Sequence, residues 1–413
     1  MKPALPIRRR NVLAAATAGL LFLSSCAAGP AEQPEPDSWE EVASAAQGQT
    51  VKLWMYGGDT QGNSYVDEHL IPAAADEGIT LERVPVADTR DALNRVLTEI
   101  QSGTTDGEVD LVWVNGNNFG TGKEARAWAC GWTSLLPNME LTNPSDPLLS
   151  EDFGTPVDGC EAPWSKAQFT IAYNSAAVPE PPTTLAGLLE WVSANPGRFT
   201  YPAPPDFTGS VFTREVLYSV SGGYANVPLA FDQDAFDRLS PALLNELEDL
   251  KPSLWRQGST YPKSSGELDA LYAGGQVDFT MTYGPATLTK LVADGTYPAT
   301  TKVLTLDEGT VGNASFLAIP STSGQRSGAM VVANIALSEE QQATKADPRI
   351  WGQFPVLDSD ALSPEGRALF EQLPTSPVVP GYEVLSKNAN PELAAEWVPA
   401  LDEAWRRQIL AGG

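Results

Sequence analysis

The chain of 413 residues contains one histidine, His69, and only three cysteines. Zinc sites with two or three histidines are therefore excluded, and a Ser-His-Asp triad would require His69. Basic residues are also scarce, because 26 lysines and arginines stand against 52 aspartates and glutamates, a formal net charge of −26. Without a basic surface to neutralise phosphates, nucleic acid is not expected as a partner.

Motifs of common catalytic sites are also missing. The sequence has no Gly-x-Ser-x-Gly elbow, no P-loop, no His-Glu-x-x-His and no Gly-x-Gly-x-x-Gly after a strand. The acidic spacing of Asp232, Asp234 and Asp237 lacks the glycine and glutamate of a calcium loop, so it predicts the start of a helix. We therefore expect no enzyme, no cofactor and no metal. A secreted glycan-active enzyme with a carboxylate pair stays an alternative.

The apolar stretch from Val12 to Leu23 is too short to cross a bilayer, which needs roughly 20 residues. It follows a basic segment and predicts a signal peptide over residues 1–25. The tetrapeptide that ends at Cys26 resembles the lipobox of bacterial lipoproteins, in which the cysteine becomes diacylated. We expect a membrane anchor at Cys26, with export by the general or the twin-arginine route left open by Arg9-Arg10.

Two further cysteines, Cys130 and Cys160, are predicted to form a disulfide, because an exported protein folds in an oxidising compartment. A catalytic thiol is disfavoured, since no histidine lies nearby and the redox spacing is absent. Residues 26–47 are predicted to hold the lipidated cysteine, a tether rich in proline and alanine, and a short helix.

From residue 51 onward, strand and helix patterns alternate as in an α/β fold. Strands are predicted at 51–55, 79–84 and 109–114, and an amphipathic helix at 89–101 ends before Gly103. The last of these strands is apolar enough to be central. Near the carboxyl terminus, Asn390-Pro391 is predicted to cap a helix whose apolar residues recur every four positions.

Several loops at strand ends are rich in aromatic, amide and glycine residues, which suit a ligand site. In open α/β sheets ligands bind at the carboxyl ends of strands, so we expect these loops to meet. The candidate residues in them are Tyr56, Gly57, Asp59, Asn115, Asn117, Asn118, Phe119, Asp206, Phe207, Thr208 and Tyr283.

The chain resembles the extracellular solute-binding proteins of ABC importers, in particular their YnjB-like branch near the family-1 and thiamine-binding-like proteins. The similarity covers the mature chain. It is carried by the segments 48–51, 54–59, 112–119, 163–169, 205–210 and 346–352.

This resemblance implies an α/β, two-lobed periplasmic-binding-protein fold of type II with the ligand cleft between the lobes. Lobe one would hold residues 48–167 and 311–345, and lobe two would hold residues 168–310 and 346–413. The protein would be a monomer that lies outside the cytoplasm. It would capture a small solute by lobe closure and deliver it to an ABC permease and its ATPase.

The solute is left open between two classes. Rings of Tyr56, Phe119, Trp164, Phe207 and Tyr283, with the carboxylates of Asp59 and Asp206, would suit a thiamine-like or polyamine-like organic cation. A sugar stacked on the same rings and hydrogen-bonded by Asn115, Asn117 and Gln168 is the alternative.

Overall fold

The computed structural model describes residues 36–385 and 389–411. The predicted signal peptide, the lipidation of Cys26 and residues 26–35 of the predicted tether lie outside these ranges. Over the ranges described, no helix has both the length and the apolar character needed to cross a membrane.

The strands are short. Apolar residues alternate with polar ones in half-buried strands and are consecutive in fully buried strands. In β1 the buried residues Val51, Leu53 and Met55 alternate with partly exposed ones, whereas every residue of β10 is buried. The strands are β1 (Thr50–Tyr56), β2 (Thr80–Val86), β3 (Leu111–Val114), β4 (Glu151–Asp152), β5 (Thr155–Pro156), β6 (Glu161–Gln168), β7 (Thr170–Asn174), β8 (Phe279–Thr282), β9 (Thr301–Val303), β10 (Val311–Ala318) and β11 (Asn390–Pro391).

The helices begin at side-chain caps in most of the segments where the sequence predicts them. Helix α4, for example, starts after Asp88, whose carboxylate accepts the N–H of Arg90, and ends at Gly103 in the left-handed conformation (φ +71°). The helices are α1 (Trp39–Ala46), α2 (Thr60–Tyr65), α3 (Ile71–Asp76), α4 (Thr89–Ser102), α5 (Asn117–Glu124), α6 (Pro147–Ser150), α7 (Leu185–Ala194), α8 (Phe207–Val220), α9 (Gln233–Leu250), α10 (Ser265–Ala273), α11 (Ala286–Ala293), α12 (Arg326–Ala336), α13 (Glu339–Ala346), α14 (Pro364–Glu371), α15 (Tyr382–Leu385) and α16 (Trp397–Trp405).

The larger sheet has the spatial order β2, β1, β3, β10 and β11, and β6 also pairs with β10. Strands β1, β2 and β3 are parallel, whereas β10 runs antiparallel to both β3 and β6. A smaller antiparallel sheet has β7 between β8 and β9. The sequence prediction of a central strand at residues 109–114 is confirmed, because β3 lies between β1 and β10.

Two large hydrophobic cores correspond to the six-stranded and three-stranded sheets, and β4 and β5 form a separate two-stranded sheet. The first core takes buried residues from 42 to 164 and from 314 to 357, and the second takes them from 169 to 311 and from 378 to 409. A smaller third core packs α4 against β3. The lobe boundaries at residues 167 and 345 stay a prediction; Trp351 and Leu357 pack in the first core.

The prediction that Asn390-Pro391 caps a helix is wrong. These residues form β11, which pairs in parallel with Val311 and Gly312 of β10, and the helix α16 begins only at Trp397. Periodicity along the chain is local and could not reveal this pairing with a strand some 80 residues earlier. The predicted acidic helix start is confirmed, because Asp232 caps α9 by accepting the N–H of Ala235.

The predicted disulfide is confirmed: the sulfur atoms of Cys130 and Cys160 are bonded, across a sequence separation of 30 residues. Cys160 is buried in the third core, and its bond holds the loop around Gly131 close to the start of β6. The cross-link stabilises the protein mainly by restricting the unfolded chain.

We therefore expect the double variant Cys130→Ser/Cys160→Ser to lose about 3–4 kcal/mol of unfolding free energy, the loop-closure entropy of a ring of this size. Urea unfolding of the oxidised wild type and the double variant measures the difference. Dithiothreitol should destabilise the wild type and leave the double variant unchanged. Equal stability of the two oxidised proteins would contradict the prediction.

Candidate functional site

A cavity of about 310 Å³ opens between the two large cores. The first core contributes Trp351, which neighbours the loop that follows β1, and the second contributes the loop that follows β8. Its lining residues include Asp59, Gln61, Lys166, Thr282, Tyr283, Gly284, Thr287, Trp351 and Gln353. Two of the predicted site residues, Asp59 and Tyr283, therefore share one cavity.

Asp59 is fixed from two sides. As the N-cap of α2 it accepts the N–H of Gly62 through Oδ1 (2.9 Å), and its Oδ2 accepts Nε1–H of Trp351 (2.8 Å). The second bond joins the end of β1 to a segment some 290 residues later in the chain. Because a carboxylate has about four acceptor positions, Asp59 keeps capacity for a further donor from the cavity.

Behind Trp351 lies a packed group of aromatic rings. Trp164 and Trp351 stand edge to face at 5.3 Å between centroids, and Trp113 contacts both rings in the same manner at 5.3 and 5.6 Å. The ring of Tyr65 lies tilted by 30° against Trp351, at 5.4 Å between centroids. Trp164 is fully buried, so the structure places this predicted site residue in the first core, behind the cavity wall.

On the opposite wall, Tyr283 connects the cavity to a buried ion pair. Its hydroxyl lies 3.3 Å from Oε1 of Glu392, and Glu392 receives two bonds from the guanidinium of Arg214 (2.9 and 3.1 Å). Both members of the ion pair are almost fully buried. Phe207 lies edge to face with Tyr283 at 5.0 Å, with half of its surface exposed. These two predicted site residues are therefore in direct contact.

The carboxylate of Asp206 caps α8. Its Oδ1 accepts the N–H groups of Thr208 and Gly209 and the hydroxyl of Thr208, and its Oδ2 accepts the N–H of Ser265. Thr208 is buried. Asp206 thus positions Phe207 at the first turn of the helix, and this capping role is independent of any ligand.

Some predicted site residues in the loop after β3 lie at the surface and others lie in the core. Asn115 and Asn117 are exposed and Asn118 is half-buried, whereas Phe119 is fully buried in the third core. Gln168 is also buried and donates to Thr310 Oγ1 and the Leu385 carbonyl. Their roles in ligand binding stay predictions.

Tyr56 and Gly57 lie at the end of β1, immediately before Asp59. Tyr56 is nearly half exposed, and its ring lies over Gly58, where a Cβ would be 2.2 Å from the tyrosine hydroxyl. The N–H of Gly57 continues the pairing with β2 through the Val86 carbonyl. Tyr56 therefore exposes an aromatic surface on the same loop as Asp59.

Two buried carboxyl groups lie beside the loop after β3. Both oxygens of Asp152 accept the N–H of Gly116, at 2.8 and 2.7 Å. Neither oxygen of Glu161 has a hydrogen-bond partner among the described residues. Burial raises the pKa of Asp152 to about 7, against the opposing effect of the Gly116 bond. Burial, and then the charge of Asp152, raise the pKa of Glu161 while Lys123 opposes them.

Sequence reasoning did not identify Gln61, Lys166, Trp351 or Gln353 as site residues. Lys166 forms an ion pair with Asp146 (Nζ to Oδ2, 2.6 Å), and its backbone N–H donates to the Phe354 carbonyl. The segments 163–169 and 346–352 carry the family resemblance, and this resemblance is the sequence signal that could have identified Lys166 and Trp351. These segments lie beside the loop after β1 only through long-range contacts, which a local pattern does not predict.

The sheets, the two cores and the cavity between them define a two-lobed α/β fold of the periplasmic-binding-protein type. A family model described as bacterial extracellular solute-binding protein matches residues 72–374. The chain belongs to this family. It is also 38% identical to Protein YnjB of Escherichia coli strain K12 over 392 residues, which are 94% of this chain and 96% of that protein.

Solved structures share the fold at low sequence identity. An ABC transporter structure from Clostridium perfringens aligns with a TM-score of 0.61 at 17% identity, over 86% of this chain and 98% of that one. A spermidine/putrescine ABC transporter substrate-binding protein from Streptococcus pneumoniae aligns with a TM-score of 0.57 at 14% identity, over 87% and 98%. Both likenesses show the fold alone.

The raised pKa of Asp152 predicts a pH dependence of stability. Between its usual pKa of 3.8 and about 7 the folded protein keeps a proton that the unfolded chain has released, so stability falls as pH rises through that window. Asp152→Asn keeps an acceptor for Gly116 but removes the titration. The variant should therefore lose less unfolding free energy than the wild type between pH 5 and pH 8.

Urea unfolding at both pH values measures this difference, with Asp76→Asn on the exposed surface of α3 as the matched control. The control should follow the wild type. A variant Asp152→Asn whose stability falls as steeply as that of the wild type would show that Asp152 does not hold a proton in the folded state.

Proposed function

We propose that this protein is a lipid-anchored receptor that captures a small organic cation between its lobes and delivers it to an ABC import permease. The observation that carries the proposal is the Asp59 carboxylate in the cavity between the cores, opposite Tyr283. The family supports solute binding rather than catalysis. The lipid at Cys26 would keep the receptor at the membrane where the permease lies.

The charges around the cavity favour a cation. Asp59 lines it with a carboxylate that accepts two neutral N–H groups, from Gly62 and Trp351. The positive charge of Lys166 is offset by Asp146, so the charges of these three side chains sum to one negative. The ring of Tyr283 lines the cavity, with Phe207 packed against it, and an ammonium group gains about 0.5–2 kcal/mol over an aromatic face.

A sugar is the second candidate, and the amides of Gln61 and Gln353 in the same cavity favour it. Amide groups both donate and accept, as sugar hydroxyls require. The S. pneumoniae protein named for spermidine and putrescine supports the cation only through a shared fold. The Asp59 carboxylate in the cavity is therefore a stronger argument for a cation than the shared fold is. We propose the cation over the sugar for this reason.

We expect the lobes to close around the solute, because the two walls of the cavity belong to different cores. Asp59 and Trp351 belong to the side of the first core, whereas Tyr283, on which Phe207 packs, belongs to the side of the second. A solute that touches both walls stabilises the arrangement in which they are close, so binding and closure are coupled.

A thermal-shift screen of the mature, unlipidated protein tests the proposal with thiamine and its phosphates, polyamines, quaternary amines, sugars and amino acids. A solute present at about 100 times its dissociation constant stabilises the folded state by about 2.7 kcal/mol. We expect a shift with the cations, lost in Asp59→Asn. A shift with sugars alone that survives in Asp59→Asn would establish the second candidate instead.

Phe207→Ala should weaken cation binding by about tenfold, since it removes the ring that packs edge to face on Tyr283 at the cavity wall. The matched control is Tyr224→Ala, because Tyr224 is an aromatic side chain of similar exposure whose ring lies against Tyr218, away from the cavity-lining Tyr283. Titration calorimetry measures both affinities. An equal loss in the two variants would argue against a role of Phe207 in the site.

A further inference from the structure

A second and larger cavity lies beside the proposed solute cavity. Its volume is about 690 Å³, more than twice the 310 Å³ of the first. It too opens between the cores: Leu357 of its lining belongs to the first core and Val379 belongs to the second. The apolar residues of its lining include Phe354, Pro355, Leu357, Leu362, Phe370, Leu373, Pro374, Val379 and Pro380.

This cavity is more apolar than the first one. Its charged lining residues, in the described part of the chain, are Arg367 and Glu371, one turn apart on α14. Such a cavity favours an apolar group, because burying each methylene there gains about 0.8 kcal/mol.

The two cavities are separated by a thin wall. Ala286, Gly352 and Phe354 line both of them. Gly352 has a φ of +75°, and a Cβ built on it would lie only 2.4 Å from Cβ of Ala286. Ala286 starts α11 on the side of the second core, whereas Gly352 follows Trp351 of the first core. The wall is therefore a contact between the two sides, which separates when the lobes part.

We propose that the solute is an amphipathic cation whose charged head lies at Asp59 and whose apolar group fills the second cavity. The inference rests on the proposed function and specifies its substrate class. With the lobes apart, the head and the apolar group enter together past Phe354. With the lobes closed, the solute contacts both cores in both cavities, over about 1,000 Å³ in total, the sum of the two volumes.

Titration calorimetry with tetramethylammonium, butyltrimethylammonium and octyltrimethylammonium, each below its micellar concentration, tests the proposal. Tetramethylammonium is the head alone and reports on the first cavity. For the wild type we expect affinity to rise about fourfold per added methylene until the chain fills the second cavity.

Ser359 is exposed and lines the second cavity, so Ser359→Trp places a ring in its mouth without disturbing a core. This variant should bind all three cations with the affinity of tetramethylammonium. The adjacent Asp360 is equally exposed but does not line the cavity, and Asp360→Trp should keep the gain with chain length.

Three results would overturn the inference. If the wild type binds the octyl and methyl compounds equally, the second cavity does not hold part of the solute, and the proposed function stands. A chain-length gain that persists in Ser359→Trp would place the apolar group elsewhere. Absence of binding by every member of the series would overturn this inference, and the thermal-shift screen with thiamine and polyamines then decides separately whether the organic-cation proposal stands.

Discussion

The antiparallel pairing of β6 with β10 is the constraint on which the rest of the structure depends. The strands pair from Gly312 opposite Gln168 to Ala318 opposite Glu161, within the sheet of the first core. Both then enter the second core at the same point, where the N–H of Phe169 donates to the Val311 carbonyl at 2.8 Å. The chain thus crosses twice between the cores as one hydrogen-bonded ribbon. This ribbon fixes where the two walls of the proposed solute cavity lie.

The segment around Phe354 lies against the same ribbon, because the N–H of Lys166 donates to the Phe354 carbonyl. The two adjacent crossings, joined by hydrogen bonds, resist sliding of one core along the other and permit bending across the ribbon. In the second core, the buried charges of Arg214 and Glu392 lose their hydration, which costs folding free energy. Their two bonds and the Tyr283 hydroxyl offset the loss of hydration, and they hold Tyr283 at the cavity wall.

Local sequence signals predicted the elements that local interactions build. The stripe and terminal glycine of α4 and the apolar strand β3 are of this kind, and both match the structure. The prediction of a helix cap at Asn390-Pro391 is wrong because the strand with which these residues pair is remote in sequence. The sequence offers Phe119 from a loop after a predicted strand, and Trp164 from a segment that carries the family resemblance, as rings for a ligand cleft, but a ring looks the same in a sequence whether it lies in a core or at a surface. Only tertiary packing shows that both are buried.

The carboxylate of Asp59 combines three tasks that the sequence could not reveal together. It caps α2, accepts the indole N–H of Trp351 and lines the cavity. Because the first two bonds already fix its orientation, a bound cation would require no side-chain reordering, which is a main cost of binding. Trp351 packs in the first core, and Gly352 beside it lies against Ala286 of the opposite side. A charge at Asp59 is therefore one hydrogen bond away from the residue next to the Gly352–Ala286 contact, which would couple recognition to the proposed lobe closure.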